Sequence, residues 1–169
     1  MAEYVDLGLE DVLGSFSMKR FYESAYDNRG GILGNKWRFE LESSVQVTGN
    51  LAVLQMPDLH MECFVKENGI WRNQRAGDAS LVFSETVDGY LLKKSSTGEI
   101  YEYNAAGKLV AMSDIHGNKK LLSYEGGKLQ RIILASGQWV KFTYQGGKLI
   151  KVRDCLGREV EYKYKNSYL

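Results

Sequence analysis

Four tyrosines, Tyr103, Tyr124, Tyr144 and Tyr164, recur at intervals of twenty or twenty-one residues. That spacing has two chemical uses. A row of aromatic faces can stack against sugar rings, and lysines beside it suit an anionic polysaccharide. The same row can line one face of a sheet, where each aligned aromatic pair contributes about 0.2–1 kcal/mol. The second use takes precedence, because burying one face of a sheet requires such a row in any case.

Other reactive side chains form no constellation. The two histidines are His60, near Pro57, and His116, within Asp114-Ile115-His116-Gly117. Nothing in the spacing assembles either one with a serine and a carboxylate. Asp114 and Asp154 each stand three residues before a glycine, Gly117 and Gly157. Aspartate at the first position of a type I turn accepts backbone N–H bonds, and glycine at the fourth takes the left-handed conformation. Both aspartates therefore read as turn formers, not as acids or metal ligands. The two cysteines, Cys63 and Cys155, lack a CxxC partner, so neither a metal site nor a disulfide framework is expected. The stretch Arg29-Gly30-Gly31-Ile32-Leu33-Gly34 lacks the Gly-Lys-Ser/Thr ending of a phosphate-cradling loop. The expectation is a non-enzymatic chain with no cofactor and no metal.

What must position the tyrosines is a repeat. Gly107-Lys108-Leu109, Gly127-Lys128-Leu129 and Gly147-Lys148-Leu149 keep a twenty-residue beat, with Gly117, Gly137 and Gly157 between them. Self-similarity of this length signals stacked supersecondary units. The return segments alternate, as in Val140, Phe142 and Tyr144 against Lys141 and Thr143. Period-two alternation marks a half-buried strand. Each unit is thus two strands and two tight turns. Leu149 and Val152, three apart, fall on opposite faces of a regular strand, and only a bend or bulge returns them to one.

The glycine beat continues upstream through Gly89, Gly69 and Gly49. The predicted fold is all-β, a single domain over 1–169 built as an antiparallel meander of stacked β-hairpins. It has about twelve to fourteen strands, more than a typical sheet. Such a sheet is expected to be strongly twisted and curled. Residues 1–44 stand apart as capping strands that cover the first edge, with strands at Phe16–Tyr22 and around Trp37–Leu41. Residues 45–169 are the hairpin repeats, clearest at 98–165.

Composition agrees with a globular β protein: 44% hydrophobic, 25% charged and one proline. Eleven tyrosines, six phenylalanines and three tryptophans favour pleated surfaces. No apolar run approaches the roughly 20 residues of a membrane span. The opening MAEYVDLGLEDVLG is acidic and shows no secretory leader. Residues 104–169 carry 12 Lys and Arg against 5 Asp and Glu, while residues 1–103 carry 10 against 16. The lysines sit at repeat positions rather than in one cluster, and nucleic acid is not an expected partner.

Two sets of phrases resemble the Rhs/YD-repeat family, which includes bacterial Rhs toxins, insecticidal toxin-complex shell proteins and the animal teneurins. Gly98-Glu99-Ile100-Tyr101-Glu102-Tyr103-Asn104-Ala105-Ala106-Gly107-Lys108-Leu109 is similar to the family's hairpin repeat. So is the run from Gly147-Lys148-Leu149 through Val152, Asp154 and Gly157 to Tyr162-Lys163-Tyr164. Arg20-Phe21-Tyr22-Glu23-Ser24, followed by Leu33-Gly34-Asn35-Lys36-Trp37, resembles the block that opens the family's repeat shell. The Tyr-Asp pair itself is absent, since the four tyrosines precede Asn104, Glu125, Gln145 and Lys165. Lysine replaces arginine in each Gly-Lys-Leu.

The resemblance implies a structural, shell-building module of a bacterial toxin or cell-surface protein. Its partners would be the rest of a larger repeat shell or an encapsulated toxin domain, and it would be secreted or surface-borne as part of that protein. The alternative is a cell-surface carbohydrate-binding module using the tyrosine row and the basic repeat face. An exposed last strand near Glu161–Lys165 would be an open edge, which invites self-association.

Overall fold

The computed structural model describes residues 2–10, 16–24, 31–56, 60–75, 80–165 and 169. Pro57 and the Asn28-Arg29-Gly30 part of the Gly-rich stretch lie outside the described residues. Those described form sixteen strands and no helix, and every strand pairing given for them is antiparallel. The chain gathers into two compact units, Met1–Glu40 with Leu122–Leu169, and Leu41–Leu121.

In the first unit, β1 (Ala2–Leu9), β2 (Phe16–Tyr22) and β3 (Trp37–Phe39) form a three-stranded sheet in that order. In the second, β4 (Ser44–Thr48), β5 (Leu51–Gln55), β6 (Met61–Glu67) and β7 (Ile70–Asn73) form a four-stranded meander. The remaining strands pair in chain order: β8 (Leu81–Thr86), β9 (Gly89–Lys94), β10 (Ile100–Asn104), β11 (Leu109–Ser113) and β12 (Lys119–Glu125), then β13 (Lys128–Ile133), β14 (Trp139–Gln145), β15 (Lys148–Asp154) and β16 (Glu159–Glu161). β12 begins in the second unit and ends in the first.

The hairpin logic follows from backbone chemistry. Gly126 and Gly127 have φ of 55° and 77°, and Gly146 and Gly147 have 56° and 85°. Two consecutive left-handed residues make the two-residue turn whose twist matches the flanking strands. The repeat is also a repeat of burial. Residues 121–130 and 141–150 share one pattern of buried, intermediate and exposed positions.

A bulge settles the spacing of Leu149 and Val152. Thr143 pairs with Lys151 but Tyr144 pairs with Leu149, so Ile150 is an extra residue and the side chains on either side return to one face. Leu149 and Val152 are both fully buried. The same irregularity recurs in β11, where Glu102 pairs with Ala111 and Tyr103 with Leu109.

Three features differ from the sequence reading. β1 was not foreseen, because it carries only Leu7 and Leu9 into the core and most of its other side chains are exposed. The meander is three sheets rather than one. The third is a packing that no phrase announced: within the first unit β1–β3 share a core with the last hairpins, where Phe39 meets Phe142 with ring centres 5.7 Å apart and the Leu149 amide donates to the Ile32 carbonyl at 2.8 Å. Fully burying one such side chain contributes about 1.5–3 kcal/mol.

In the second unit, Phe64 and Trp71 of the four-stranded sheet pack against Phe83 of β8, each at 5.3 Å. Leu54, Phe64, Leu92 and Leu109 are fully buried there.

Candidate functional site

One polar cluster of the first unit starts with an irregularity in β1. Val5 pairs with Lys19 and Leu7 with Met18, leaving Asp6 as the extra residue. A bulge re-aims a side chain, and Asp6 meets Arg20 of β2, whose Nε donates to both carboxylate oxygens at 2.8 Å. The pair is mostly buried, with side-chain exposures of 7% for Asp6 and 21% for Arg20. The Tyr162 hydroxyl donates to Asp6 Oδ2 at 2.7 Å. Burial first, then the Asp6 carboxylate, pushes the Tyr162 phenol well above its usual range, so it stays a donor.

Aromatic rings hold the arginine. Its guanidinium carbon lies 4.4 Å from the Trp37 ring centre and 4.9 Å from that of Tyr4. Tyr22 packs on Trp37 at 5.3 Å. The phrases Arg20–Ser24 and Leu33–Trp37 are therefore two sides of one hairpin, with Tyr22 opposite Trp37 and Arg20 opposite Phe39. Gly34 and Lys36 have positive φ, 85° and 67°, on the approach to β3. A second tie runs from Arg158, whose Nη2 donates to the Gly8 carbonyl at 2.7 Å.

Asp154 joins this tie. Its carboxylate is fully buried and accepts the Leu156 and Arg158 amides, each at 2.9 Å, and Arg158 Nε at 2.6 Å. Burial opposes its charge, but the Arg158 side chain and the two amides prevail and hold the carboxyl below its usual range. Asp114 uses the same geometry, accepting the His116 and Asn118 amides at 2.9 and 3.0 Å and the Asn118 side-chain amide at 3.0 Å. The Asn118 side chain leads the causes that lower its pKa. Gly117 and Gly157 close these turns with φ of 81° and 85°, each donating its amide to the aspartate carbonyl. The Leu134 turn keeps the same backbone bond through Gly137.

A prediction arises here. A depressed carboxylate pKa gives stability that is full above the unfolded value, about 4, and lost as pH falls through the folded one. Asp154→Asn should therefore flatten the loss of denaturation midpoint between neutral and acid pH. Asp154→Ala, which removes the acceptor of three bonds from solvent-reachable donors, should cost about 0.5–1.5 kcal/mol. An unchanged acid profile in the Asn variant would remove Asp154 from the account.

The tyrosines divide between the units. In the second, Tyr103 is 2% exposed and its hydroxyl lies 3.0 Å from Ser43 Oγ. Burial pushes its pKa up to about 12, partly offset by the Ser43 bond. In the first, Tyr144 donates to the Leu129 carbonyl at 2.8 Å and Tyr164 to that of Leu149 at 2.6 Å. At Leu149 the bulge interrupts the ladder, so its carbonyl needs a donor. Tyr124, at the same repeat position, is half-buried. An open recess of about 440 Å³ lies beside Tyr144, lined by Glu125, Lys128, Gln130 and Thr143. Lys128 Nζ stands 5.6 Å from the Tyr144 ring centre.

His60 is not isolated. Its Nε2 lies 2.9 Å from Glu62 Oε1, and Asn73 Nδ2 and Arg75 Nη1 approach the same buried carboxylate at 3.2 and 3.3 Å. His116 is exposed in its turn, Cys63 is exposed and Cys155 half-buried, both thiols free. Among the described residues, no group of three or more His, Cys, Asp or Glu is placed to hold a metal ion. Sequence reasoning missed Asp6, Ser43, Glu62 and Tyr162 as bonding groups. Each finds its partner through the fold, and only Tyr162 carried a signal, as a member of an alternating strand.

Residues 1–64 match a family described as a domain of unknown function (DUF6531). The match runs from β1 into β6 and does not itself place the chain in the Rhs/YD-repeat family. Comparison with curated proteins finds no match.

Proposed function

We propose that this chain is a non-enzymatic structural module, the opening segment of a β-hairpin repeat shell of the Rhs/YD type. In this reading it belongs to a bacterial toxin or cell-surface protein that is exported. Its partners are further repeats of the shell or a toxin domain enclosed by them, and the extended meander twists and curls as it lengthens.

One observation carries the reading. The groups with chemical potential are spent on the scaffold: Asp6, Arg20 and Tyr162 bond one another, Asp154 is consumed by its own turn, and Tyr103 by Ser43. Polar side chains that tie distant segments together suit a wall better than a reaction site. β16 supports it further, since among the described strands β15 is its one neighbour in the sheet order. A repeat array continues by pairing its next hairpin with such an edge.

Hydrogen exchange checks the proposal. In a longer chain carrying downstream repeats, amides of residues 159–165 should exchange more slowly than in this chain alone. Equal exchange in the two would mean that no hairpin adds at that edge, and the shell reading would fail.

A further inference from the structure

We propose that the solvent face of β13–β15 docks an acidic segment of a different protein. This goes beyond the shell reading and stands independently of it. Arg131 pairs directly with Lys141, and Lys141 with Arg153, across three adjacent strands. Their neighbours Ile132, Val140 and Val152 are fully buried, so the three cations occupy the opposite, outward face. Strands lie about 4.8 Å apart, which sets the three charges in a short, straight row. Like charges directly opposite one another weaken a sheet. The chain therefore retains an arrangement that works against its own stability.

The rest of the molecule does little to relieve it. Lys151, on the same face, is held by Glu159 at 3.0 Å and Glu161 at 3.4 Å, and Arg153 gets only a 3.9 Å approach to Glu159. Among the described residues, neither Arg131 nor Lys141 has an acidic partner. Both lean instead on the Trp139 ring, at 5.2 and 5.0 Å from its centre. Arg131 Nε is buried without a hydrogen-bond acceptor. A tryptophan flanked by arginine is the composition of an energetic centre in protein interfaces.

Charge complementarity selects the occupant. A second copy offers fewer free carboxylates, since its Glu3, Glu85 and Glu102 already face Lys19, Lys66 and Lys119. Nucleic acid binding draws its strength from many phosphate contacts, whereas this row has three cations and ends at Glu159. A bilayer would need a projecting anchor, and Trp139 is half-buried against the sheet. Carboxylates from an acidic protein segment satisfy the guanidinium forks directly.

Lys141→Glu separates function from fold, with polyglutamate as the probe. The variant should melt about 2 °C higher, because it inserts an acid between two arginines. Its affinity for polyglutamate should fall about tenfold, and the slope of log affinity against log salt should shrink by about one. Lys141→Gln, which removes the repulsion without adding an acid, should weaken binding less and raise melting by a smaller amount. The proposal is overturned if Lys141→Glu binds polyglutamate as well as the native chain does, or if it melts lower. It is also overturned if heparin or duplex DNA binds more tightly than polyglutamate at equal salt and is lost in the same variants.

Discussion

Replacing Gly107 by alanine is expected to cost this chain about 3–5 kcal/mol, in the range reserved for mutations with a named structural cause. The same change at Gly147 should cost only about 1–2 kcal/mol, the strain of a left-handed alanine. Both glycines open a Gly-Lys-Leu phrase and both have left-handed φ, 75° and 85°. Around Gly147 there is open space, so an added methyl meets nothing within 4 Å. At Gly107 the new carbon would stand 1.9 Å from the Val45 carbonyl oxygen, which is backbone and cannot swing aside. The approach is close because the Val45 amide donates to the Gly107 carbonyl at 2.8 Å, and Ser44 bridges to Lys108 beside it. Moving β4 away would break those bonds and the buried contact between Ser43 and Tyr103. Guanidinium denaturation of the two variants reads the difference. Equal midpoints would show that the repeat glycines are interchangeable.

That contrast marks the limit of what the sequence could disclose. The twenty-residue beat located strands and turns because hairpins are local: Gly126 and Gly127 shape their own turn, and alternation around Phe142 declares its own inner face. The irregularity at Ile150 was half legible, since the spacing of Leu149 and Val152 asked for a bend or a bulge without saying which. What separates Gly107 from Gly147 is a strand more than sixty residues earlier, and no property of the phrase reports it. The docking of β1–β3 on the last hairpins was hidden for the same reason. Asp6 and Tyr162 lie 156 residues apart in sequence, and the bulge that aims Asp6 inward leaves no mark in Tyr4-Val5-Asp6-Leu7. The phrase around Arg20 stood out as a resemblance, but its purpose needed the Trp37 ring and the Asp6 carboxylate in place.

Asp6→Ala should therefore destabilise the chain by about 3–5 kcal/mol, the usual result of removing one partner from a buried ion pair. Three losses coincide. Arg20, 21% exposed, keeps its charge between Tyr4 and Trp37 with no carboxylate to balance it. The Tyr162 hydroxyl loses its acceptor. The bulge in β1 also loses the side chain that gives it a purpose. Arg20→Lys should be milder yet still costly, about 1–2 kcal/mol, because an ammonium does not keep the Nε–H between the two carboxylate oxygens or stack as a plane on indole. Coupling distinguishes a shared cluster from independent contacts. Tyr162→Phe alone should cost about 1 kcal/mol, and close to nothing once Asp6 is alanine. Urea titration of the two single variants and the double gives the interaction energy. If the two costs simply add, Asp6 and Tyr162 stabilise the chain separately, and the cluster does not bind the opening sheet to the last hairpin.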